Sequence, residues 1–391
     1  MRNAHIAFFS FPHPAHVNPT IPIAAVLARR GYRVSYVTSD RFKSEVSATG
    51  AQLISCPPFN VRELHDFDPN SSDEPTQNPF FRLAAQTISN VTNFFESDRP
   101  ALIIYDVFSL AGRILSRRLG VPAIQTSPAL ASSEKTYARP TNDPRYRQGM
   151  INESRAVDRF LESYGISSNT FLFHRENLNI YLFPSAFQPD ADAYGDNCFH
   201  AGRCAGEQQY HGEWRKKNTE NRPIALITTS TTNLQGPQYF RACIEALSES
   251  LWYVILSIGD NNDAGAFTSL PPHCEVVQRV SHLKILPYAH LLVCLGGIIT
   301  LTEAGYHGVP VIVTTQALAE LEWQADILDS LGLGIYIRGT TASADDVRKA
   351  STRILEDPNI FRRVAEMRRA IRREPGAEET ANRIEEYMDT W

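Results

Sequence analysis

A histidine and an aspartate in the first third of the chain have the types and positions that acid–base chemistry requires. His16 follows the apolar run HIAFFSF and precedes a helical stretch, so its imidazole is expected beside a positive helix end that favours the neutral, proton-accepting form. Asp106 ends ALIIYD, which is typical of a strand. A carboxylate there can orient an imidazole and stabilise the imidazolium. If the two side chains face each other, they form a general base and its orienting partner.

The residues alone leave an alternative open for each member of this pair. His13 lies close to His16 in the same loop and competes for the role of base. Asp106 could instead cap a helix that starts near Ser109.

A second stretch, VCLGGIITLTEAGYHGVP, has the layout of a backbone cradle for phosphate. Gly296 and Gly297 separate a strand end from a helix that carries Thr300 and Glu303. The free N–H groups and the dipole of a helix start attract anions. The alternative is a tight strand-to-helix turn that needs small residues. The hydroxyl-rich loop of residues 228–232 follows IALI and could also donate to phosphate, or simply cap a helix.

Strand and helix patterns alternate along both halves of the chain, and this alternation is typical of two parallel-sheet domains. The first half reads as strand, loop, helix and strand, with Asn18 expected as the helix N-cap and Gly31 as its stop. We expect a Rossmann-like domain over 1–205, a linker over 206–222, a second Rossmann-like domain over 223–370, and a C-terminal helix over 371–391 that packs back on the first domain. Ligands bind outside the carboxyl ends of parallel strands, so the sequence predicts a cleft there.

Composition excludes several classes of function. The chain has 391 residues, 43% hydrophobic and 21% charged, with a net charge of -5, which gives no electrostatic basis for binding nucleic acid or an anionic membrane. No apolar stretch approaches the roughly 20 residues needed to span a bilayer. We expect a cytoplasmic protein with small-molecule partners, either a monomer or a homodimer.

Four stretches in this order resemble the GT-B glycosyltransferases that modify antibiotics and other natural products, including the macrolide glycosyltransferases. HPAHVNPTIPIAAVLARRGYRVSYVTS resembles the opening strand, histidine loop and helix of that family, and ALIIYDVFSLAGRILSRRLGVPAI resembles the segment carrying its acceptor-side aspartate. VSHLKILPYAHLLVCLGGIITLTEAGYHGVPVIVTTQ resembles the donor-binding signature, and ADILDSLGLG resembles the helix after it.

The resemblance implies an α/β protein with two Rossmann-like parallel-sheet domains, which moves a sugar from a nucleotide-diphosphate sugar to a hydroxyl of a natural product with inversion. It places the catalytic base at His16 and its partner at Asp106. The implied donor-binding positions are Thr231, Arg279, His282, Leu295, Gly296, Gly297, Thr300, Glu303 and Glu320. The expected acceptor-binding residues are His13, Phe67, Phe81 and Phe108. No cofactor and no metal are expected, because backbone amides can neutralise the leaving diphosphate.

The donor-binding stretch departs from the family pattern at several positions. Leu295 stands where the family has a histidine that donates to the diphosphate, and Ile299 where it has a small residue. Glu320 and Leu321 keep the acid but not the amide of a sugar-binding pair, and Arg279 replaces a base-stacking aromatic residue. Losing one charge-assisted hydrogen bond costs about 1.5 to 3 kcal/mol.

These departures keep a second hypothesis open, a catalytically weak or inactive homologue that acts as a binding or helper protein. A third, a nucleotide-sugar epimerase on the same fold, is disfavoured because no extra acids cluster near the leaving-group position. The intact His16 and Asp106 favour the enzyme.

Overall fold

The chain folds into two units, each built on one parallel sheet. The computed structural model describes residues 3–60, 63, 78–131, 154–166, 174–204, 214–217, 219–229, 236–248, 251–259, 262–278, 281–315, 319–339 and 341–391. Unit 1 comprises Met1–Glu207 and Pro375–Trp391, and unit 2 comprises Gln208–Glu374. The C-terminal segment thus belongs to the first unit.

Unit 1 contains a seven-stranded sheet in the order β3-β2-β1-β4-β5-β6-β7, in which all neighbouring strands are parallel. Helices cover both faces of such a sheet, so its central strands are continuously apolar rather than alternating. HIAFF and LIIYD are buried at every position for this reason. The strands are β1 (His5–Phe9), β2 (Arg33–Thr38), β3 (Gln52–Ser55), β4 (Leu102–Asp106), β5 (Ala123–Ser127), β6 (Asn179–Tyr181) and β7 (Cys198–His200).

The helices of unit 1 begin with a single turn after β1. They are α1 (Pro14–Val17), α2 (Ile21–Arg29), α3 (Lys43–Ala48), α4 (Pro79–Ser97) and α5 (Leu110–Leu119), with a further helix over residues 154–162 and 3-10 turns at Asp40–Phe42, Ser185–Phe187 and Ala191–Tyr194. The expectation that Asn18 caps the second helix is wrong. Asn18 follows the last residue of α1 in helical conformation, and Thr20 occupies the N-cap position of α2. A proline lies in the first turn of both the short helix and the long one, and the sequence pattern merged the two helices.

Apolar residues of β1 alternate between two cores on opposite faces of this sheet. Ile6 and Phe8 pack with α2 and with the C-terminal helix α12 (Gly376–Asp389), whereas Ala7 and Phe9 pack with α4 and α5. Ion pairs from Arg30 to Glu378 and Glu385, at 2.9 and 2.6 Å, join α2 to α12 at the surface. This packing explains why the last helix belongs to unit 1.

Unit 2 repeats the arrangement with six parallel strands in the order β10-β9-β8-β11-β12-β13. The strands are β8 (Ile224–Thr228), β9 (Tyr253–Ser257), β10 (Cys274–Val277), β11 (Ala289–Cys294), β12 (Val311–Thr314) and β13 (Gly334–Ile337). The helices are α6 (Pro237–Ser248), α7 (His282–Ile285), α8 (Ile298–His307), α9 (Ala319–Ser330), α10 (Ala344–Glu356) and α11 (Pro358–Ile371), with 3-10 turns at Ala264–Phe267 and Leu286–Tyr288.

Helix ends in unit 2 follow the local signals of the sequence. Gly308 ends α8 in the left-handed conformation, with φ of 77°. Ser343 and Asp346 form a capping box at the start of α10.

Each sheet reverses its strand order at one point, between β1 and β4 in unit 1 and between β8 and β11 in unit 2. Open parallel sheets bind ligands at this switch point. Among the described residues, no helix combines the length and the apolar character that crossing a membrane requires.

Candidate active site

The switch point of unit 1 brings His16 and Asp106 into direct contact. His16 lies on α1 after β1, and Asp106 is the last residue of β4, the neighbouring strand. His16 Nδ1 lies 2.8 Å from Asp106 Oδ2, and the Asp106 side chain is fully buried while that of His16 is 11% exposed. A buried carboxylate bound to Nδ1 holds a proton there and leaves Nε2 to accept one.

The second oxygen of Asp106 binds the turn that precedes α5 and does not cap the helix, which was the alternative role left open by the sequence. Asp106 Oδ1 accepts a hydrogen bond of 2.9 Å from the backbone N–H of Phe108, while Ser109, at the N-cap position of α5, makes no capping hydrogen bond with its side chain. One carboxylate therefore orients the imidazole and also orders the turn that follows β4.

His13 has a local structural role in the same loop. It is the N-cap residue of α1, and its Nδ1 accepts a 3.3 Å hydrogen bond from the N–H of Ala15. Burial, with the nearby His16 and Arg41 adding to the effect, lowers the pKa of His13 to about 3. His13 is therefore neutral at ordinary pH and occupied with the backbone.

Aromatic rings surround the His16 imidazole on its open side. The ring of Phe11 lies 5.1 Å from that of His16, and the ring of Phe108 lies 5.3 Å from it. Phe59 and Phe80 extend the cluster, with Phe80 at 5.6 Å from Phe11 and 5.7 Å from Phe108. Phe108 is 36% exposed and forms the outer edge. Its position beside the imidazole supports its expected contact with an acceptor.

Phe81, by contrast, cannot contact an acceptor from its place in the fold. It is 2% exposed and stacks on Phe160 at 4.7 Å within the core. Its neighbour Phe80 projects about 100° away around α4 and joins the cluster instead. The spacing of the buried α4 residues does not separate the two rings, since Phe80 falls on the same helical stripe as Phe81, Ala84, Thr87, Ile88, Val91 and Phe95.

A small pocket of about 20 Å³ opens beside this cluster. Phe11, Phe80 and Phe108 line it together with residues of α4 and the start of α5. Polar and apolar atoms share its surface, and the hydroxyls of Ser10 and Thr87 are among the polar groups. The aromatic rings around it can contact an apolar or aromatic small molecule.

The switch point of unit 2 presents backbone amides instead of a side-chain pair. Gly296 adopts φ of +93°, and a Cβ there would lie 2.7 Å from Val313 Cγ1, so conformation and packing both require glycine. Gly297 is the N-cap of α8 and has ordinary φ of -58°, and a Cβ there would meet no described atom within 4 Å. The tight-turn interpretation therefore accounts for Gly296 and leaves Gly297 unexplained.

Leu295 is part of the core of unit 2. Its side chain is 2% exposed, as is that of Cys294, and Ile298 at the first position of α8 is 3% exposed. Only the backbone of Leu295 can face a ligand. The apolar character of this turn is thus a consequence of packing beneath it.

A histidine at another position lies beside α8. His282 Nε2 lies 2.9 Å from Thr228 Oγ1 at the end of β8, and its Nδ1 lies 3.5 Å from Glu303 Oε2. Thr300, one helical turn before Ala304, is half-buried. Strand β8, helix α7 and helix α8 thus place Thr228, His282 and Glu303 next to one another, although the three elements are distant in sequence.

An amide also lies close to Glu320, although Leu321 replaces the expected one. Glu320 is exposed in the first turn of α9, and its Oε1 accepts a 3.2 Å hydrogen bond from Gln324 Nε2. The spacing of four residues on a helix could have revealed this pair in the sequence.

Phe67, Thr231 and Arg279 lie outside the described residues. Within the described ranges, no group of three or more histidine, cysteine, aspartate or glutamate side chains is arranged to hold a metal ion.

Known proteins match this chain over nearly its whole length. Residues 243–387 match the family model described as "Erythromycin biosynthesis protein CIII-like, C-terminal domain". The chain is 28% identical over 404 residues to the NDP-glycosyltransferase YjiC of Bacillus licheniformis, which covers 99% of this chain and 98% of that protein. It is 29% identical over 400 residues to the demethyllactenocin mycarosyltransferase of Streptomyces fradiae, with 98% and 86% covered. Among solved structures, the calicheamicin glycosyltransferase CalG4 matches with a TM-score of 0.81 at 25% identity, over 100% of this chain and 99% of that one.

The two parallel-sheet units and these relatives define the class of the protein, a glycosyltransferase with the GT-B fold. It is of the type that includes the macrolide and other antibiotic glycosyltransferases. The fold class and the family resemblance predicted from the sequence are confirmed.

Proposed function

We propose that this protein transfers a sugar, with inversion, from a nucleotide-diphosphate sugar to a hydroxyl group of an apolar natural product. The observation that carries the proposal is the buried contact of 2.8 Å between His16 and Asp106 at the switch point of unit 1. The printed names of the relatives, an NDP-glycosyltransferase and a mycarosyltransferase, support the donor and the type of acceptor.

Unit 1 supplies the base for the acceptor. With Nδ1 bound to Asp106, His16 accepts the hydroxyl proton at Nε2 as the oxygen attacks the anomeric carbon. The Asp106 carboxylate stabilises the imidazolium that forms. Phe11 and Phe108 flank the ring and exclude water, and the aromatic cluster they belong to would contact the apolar body of the acceptor.

Unit 2 supplies the counter-charge for the leaving group. The first N–H groups of α8 have no partner within the helix, and Gly297 leaves the space in front of them open to a diphosphate. Glu303 would hold the ribose, and His282 would add a donor that Leu295 cannot provide. Glu320, with Gln324, would bind the sugar.

The stereochemical outcome follows from the number of displacements. A single attack by the activated hydroxyl expels the diphosphate from the opposite face and inverts the anomeric centre. Because amides and a helix dipole balance the leaving charge, the scheme requires no metal ion.

Substitution of His16 tests the proposal. With UDP-glucose and dTDP-glucose as donors and 2-naphthol as an apolar acceptor, His16→Ala is expected to lower kcat by about two to four decades, because general base catalysis contributes that much. Binding of UDP or dTDP, followed by calorimetry, should be retained, since the nucleotide contacts lie in unit 2.

His5→Ala is the matched control. His5 is also buried and also lies beside a carboxylate, Asp98 at 3.6 Å, but at the opposite end of β1. It should lose stability and keep kcat. Unchanged turnover in His16→Ala would contradict the proposal. A nucleoside diphosphate at a hundred times its Kd should stabilise the protein by about 2.7 kcal/mol. If no nucleoside diphosphate raises the melting temperature, the helper hypothesis is favoured.

A further inference from the structure

Three buried hydroxyl groups form a connected cluster behind the loop that carries His16. Tyr36 OH on β2 lies 2.5 Å from Thr20 Oγ1 and 2.8 Å from Ser10 Oγ, and these two oxygens lie 3.3 Å apart. Thr20 and Tyr36 are 0% exposed and Ser10 is 5% exposed. We call these three residues the hydroxyl cluster.

Each hydroxyl proton of the hydroxyl cluster has a hydrogen-bond acceptor. One assignment places all three, with Ser10 donating to Tyr36, Tyr36 donating to Thr20, and Thr20 donating to the carbonyl of Val17 at 2.9 Å. Burial raises the pKa of Tyr36, and the charge of Asp106 acts in the same direction, so the phenol keeps its proton. A fully paired buried network of this kind is rigid.

The carbonyl groups that the hydroxyl cluster reaches belong to His16 itself and to the next residue. Thr20 Oγ1 lies 3.3 Å from the carbonyl of His16 and 2.9 Å from that of Val17. Helix α1 has only four residues, so these carbonyls have no partner within it. Because Thr20 has one hydroxyl proton, which the shorter contact assigns to Val17, its side chain holds the backbone of α1 at the residue after His16, and Tyr36 of β2 holds Thr20 in turn.

The imidazole and the backbone of His16 are thus fixed from two different strands. Asp106 on β4 binds Nδ1, and Tyr36 on β2 acts on the peptide through Thr20. Tyr36 is anchored in turn by stacking on Phe8, at 5.4 Å and 8° between the ring planes. Two fixed points determine the direction of Nε2, whereas Asp106 alone would allow the imidazole to pivot.

We propose that Tyr36 and Thr20 are positioning residues that direct His16 Nε2 toward the acceptor hydroxyl. This inference rests on the proposed function, in which His16 is the base. Neither residue touches a substrate. Their effect on the reaction passes through the backbone of His16.

Removing single oxygen atoms tests the positioning role. With the same donors and 2-naphthol, Tyr36→Phe and Thr20→Val are each expected to lower kcat about tenfold with KM for both substrates unchanged, because a misdirected base slows the chemical step without weakening binding. Thr20→Ser keeps the hydroxyl and should retain turnover. Ser10 is left out of the test because it also lines the pocket.

Tyr105→Phe is the matched control. Tyr105 is 1% exposed, lies in the same sheet and donates a 2.7 Å hydrogen bond to Glu176, away from the hydroxyl cluster. It should lose a similar amount of stability and keep kcat. Equal losses of kcat in Tyr36→Phe and Tyr105→Phe would overturn the positioning role, since general destabilisation would then explain both.

A double-mutant cycle separates this inference from the proposed function. If Tyr36 acts through His16, Tyr36→Phe should have no further effect on the residual turnover of His16→Ala. A tenfold loss that persists in that background would overturn the positioning role and leave the proposed function intact. Full activity in His16→Ala would instead remove both.

A readout that needs no turnover completes the test. The Nδ1–H of His16, assigned by its loss in His16→Ala, should give a downfield proton resonance because it is bound to Asp106. Its exchange with water is expected to be about tenfold faster in Tyr36→Phe than in Tyr105→Phe, because the imidazole can then pivot away from the carboxylate. Equal exchange in both variants would overturn the inference.

Discussion

The two units share one topology and present different chemistry at corresponding places. In both, the strand order reverses beside the first strand, at β1 and β4 in unit 1 and at β8 and β11 in unit 2. Unit 1 places the side chains of His16 and Asp106 there, and unit 2 places the N-terminus of α8. Under the proposed function, the same arrangement of strands would support proton transfer in one unit and an anion site in the other.

The helices that carry these groups, α1 after β1 and α8 after β11, also differ in their N-terminal capping. The N-terminus of α1 is closed by the side chain of His13, which accepts from Ala15 N–H. The N-terminus of α8 has Gly297 at its N-cap and no capping side chain. A capped helix start leaves its chemistry to neighbouring side chains, and an uncapped one keeps its amides for a ligand.

The largest effect is expected from substituting Leu295, in the turn of unit 2, by the histidine that the related family has at this position. Leu295→His should lower the free energy of unfolding by about 2 to 4 kcal/mol, because the site is a closed part of the core and a buried imidazole there would lack partners. Urea unfolding measures this loss. Unchanged stability combined with tighter UDP or dTDP binding would show that residue 295 faces the ligand after all.

His13, the capping residue of α1, should make the stability of the protein depend on pH. The folded pKa of His13 is about 3, below its ordinary value of 6.5, so the unfolded chain binds the proton more readily. Stability from this group is complete above pH 6.5 and falls as the pH drops from 6.5 toward 3, by about 1.4 kcal/mol per unit.

His13→Asn replaces the capping ring nitrogen by a side-chain oxygen that does not titrate. Between pH 6.5 and 5, the free energy of unfolding of the wild type should therefore fall by about 2 kcal/mol relative to that of this variant. Urea unfolding of both proteins across that range measures the difference. A constant difference between them would mean that His13 is solvated rather than buried.

The smallest effect is expected from giving the helix of unit 2 a cap like that of unit 1. Gly297→Asp should weaken UDP or dTDP binding about tenfold, since its carboxylate would occupy the α8 amides and repel a diphosphate, while stability should rise by a few tenths of a kcal/mol. Gly297→Ala serves as the control, because its methyl group meets no described atom within 4 Å. Calorimetric titration and thermal unfolding measure the two effects, and undiminished affinity in the aspartate variant would place the diphosphate elsewhere.

The elements and the pair at the first switch point could be predicted because they depend on local signals. Continuous apolar runs marked the central strands, and His16 and Asp106 each follow such a run. The spacing rules failed where two helices are close in sequence, as at Asn18, and where two adjacent residues of one helical stripe pack in different places, as for Phe80 and Phe81. The role of His282 beside Glu303 had no local signal, since the contact joins α7 to α8.

By itself, the amino-acid sequence determined the two parallel sheets, the ends of several helices and the presence of a histidine and an aspartate after neighbouring strands, because backbone propensity and hydrophobic period act over a few residues. Only the tertiary structure decided which side chains meet. It buried Leu295, left Gly297 open, directed Phe80 toward the imidazole and held the His16 peptide through Tyr36 and Thr20. Those outcomes depend on how each helix is rotated against its sheet, which packing between distant segments determines.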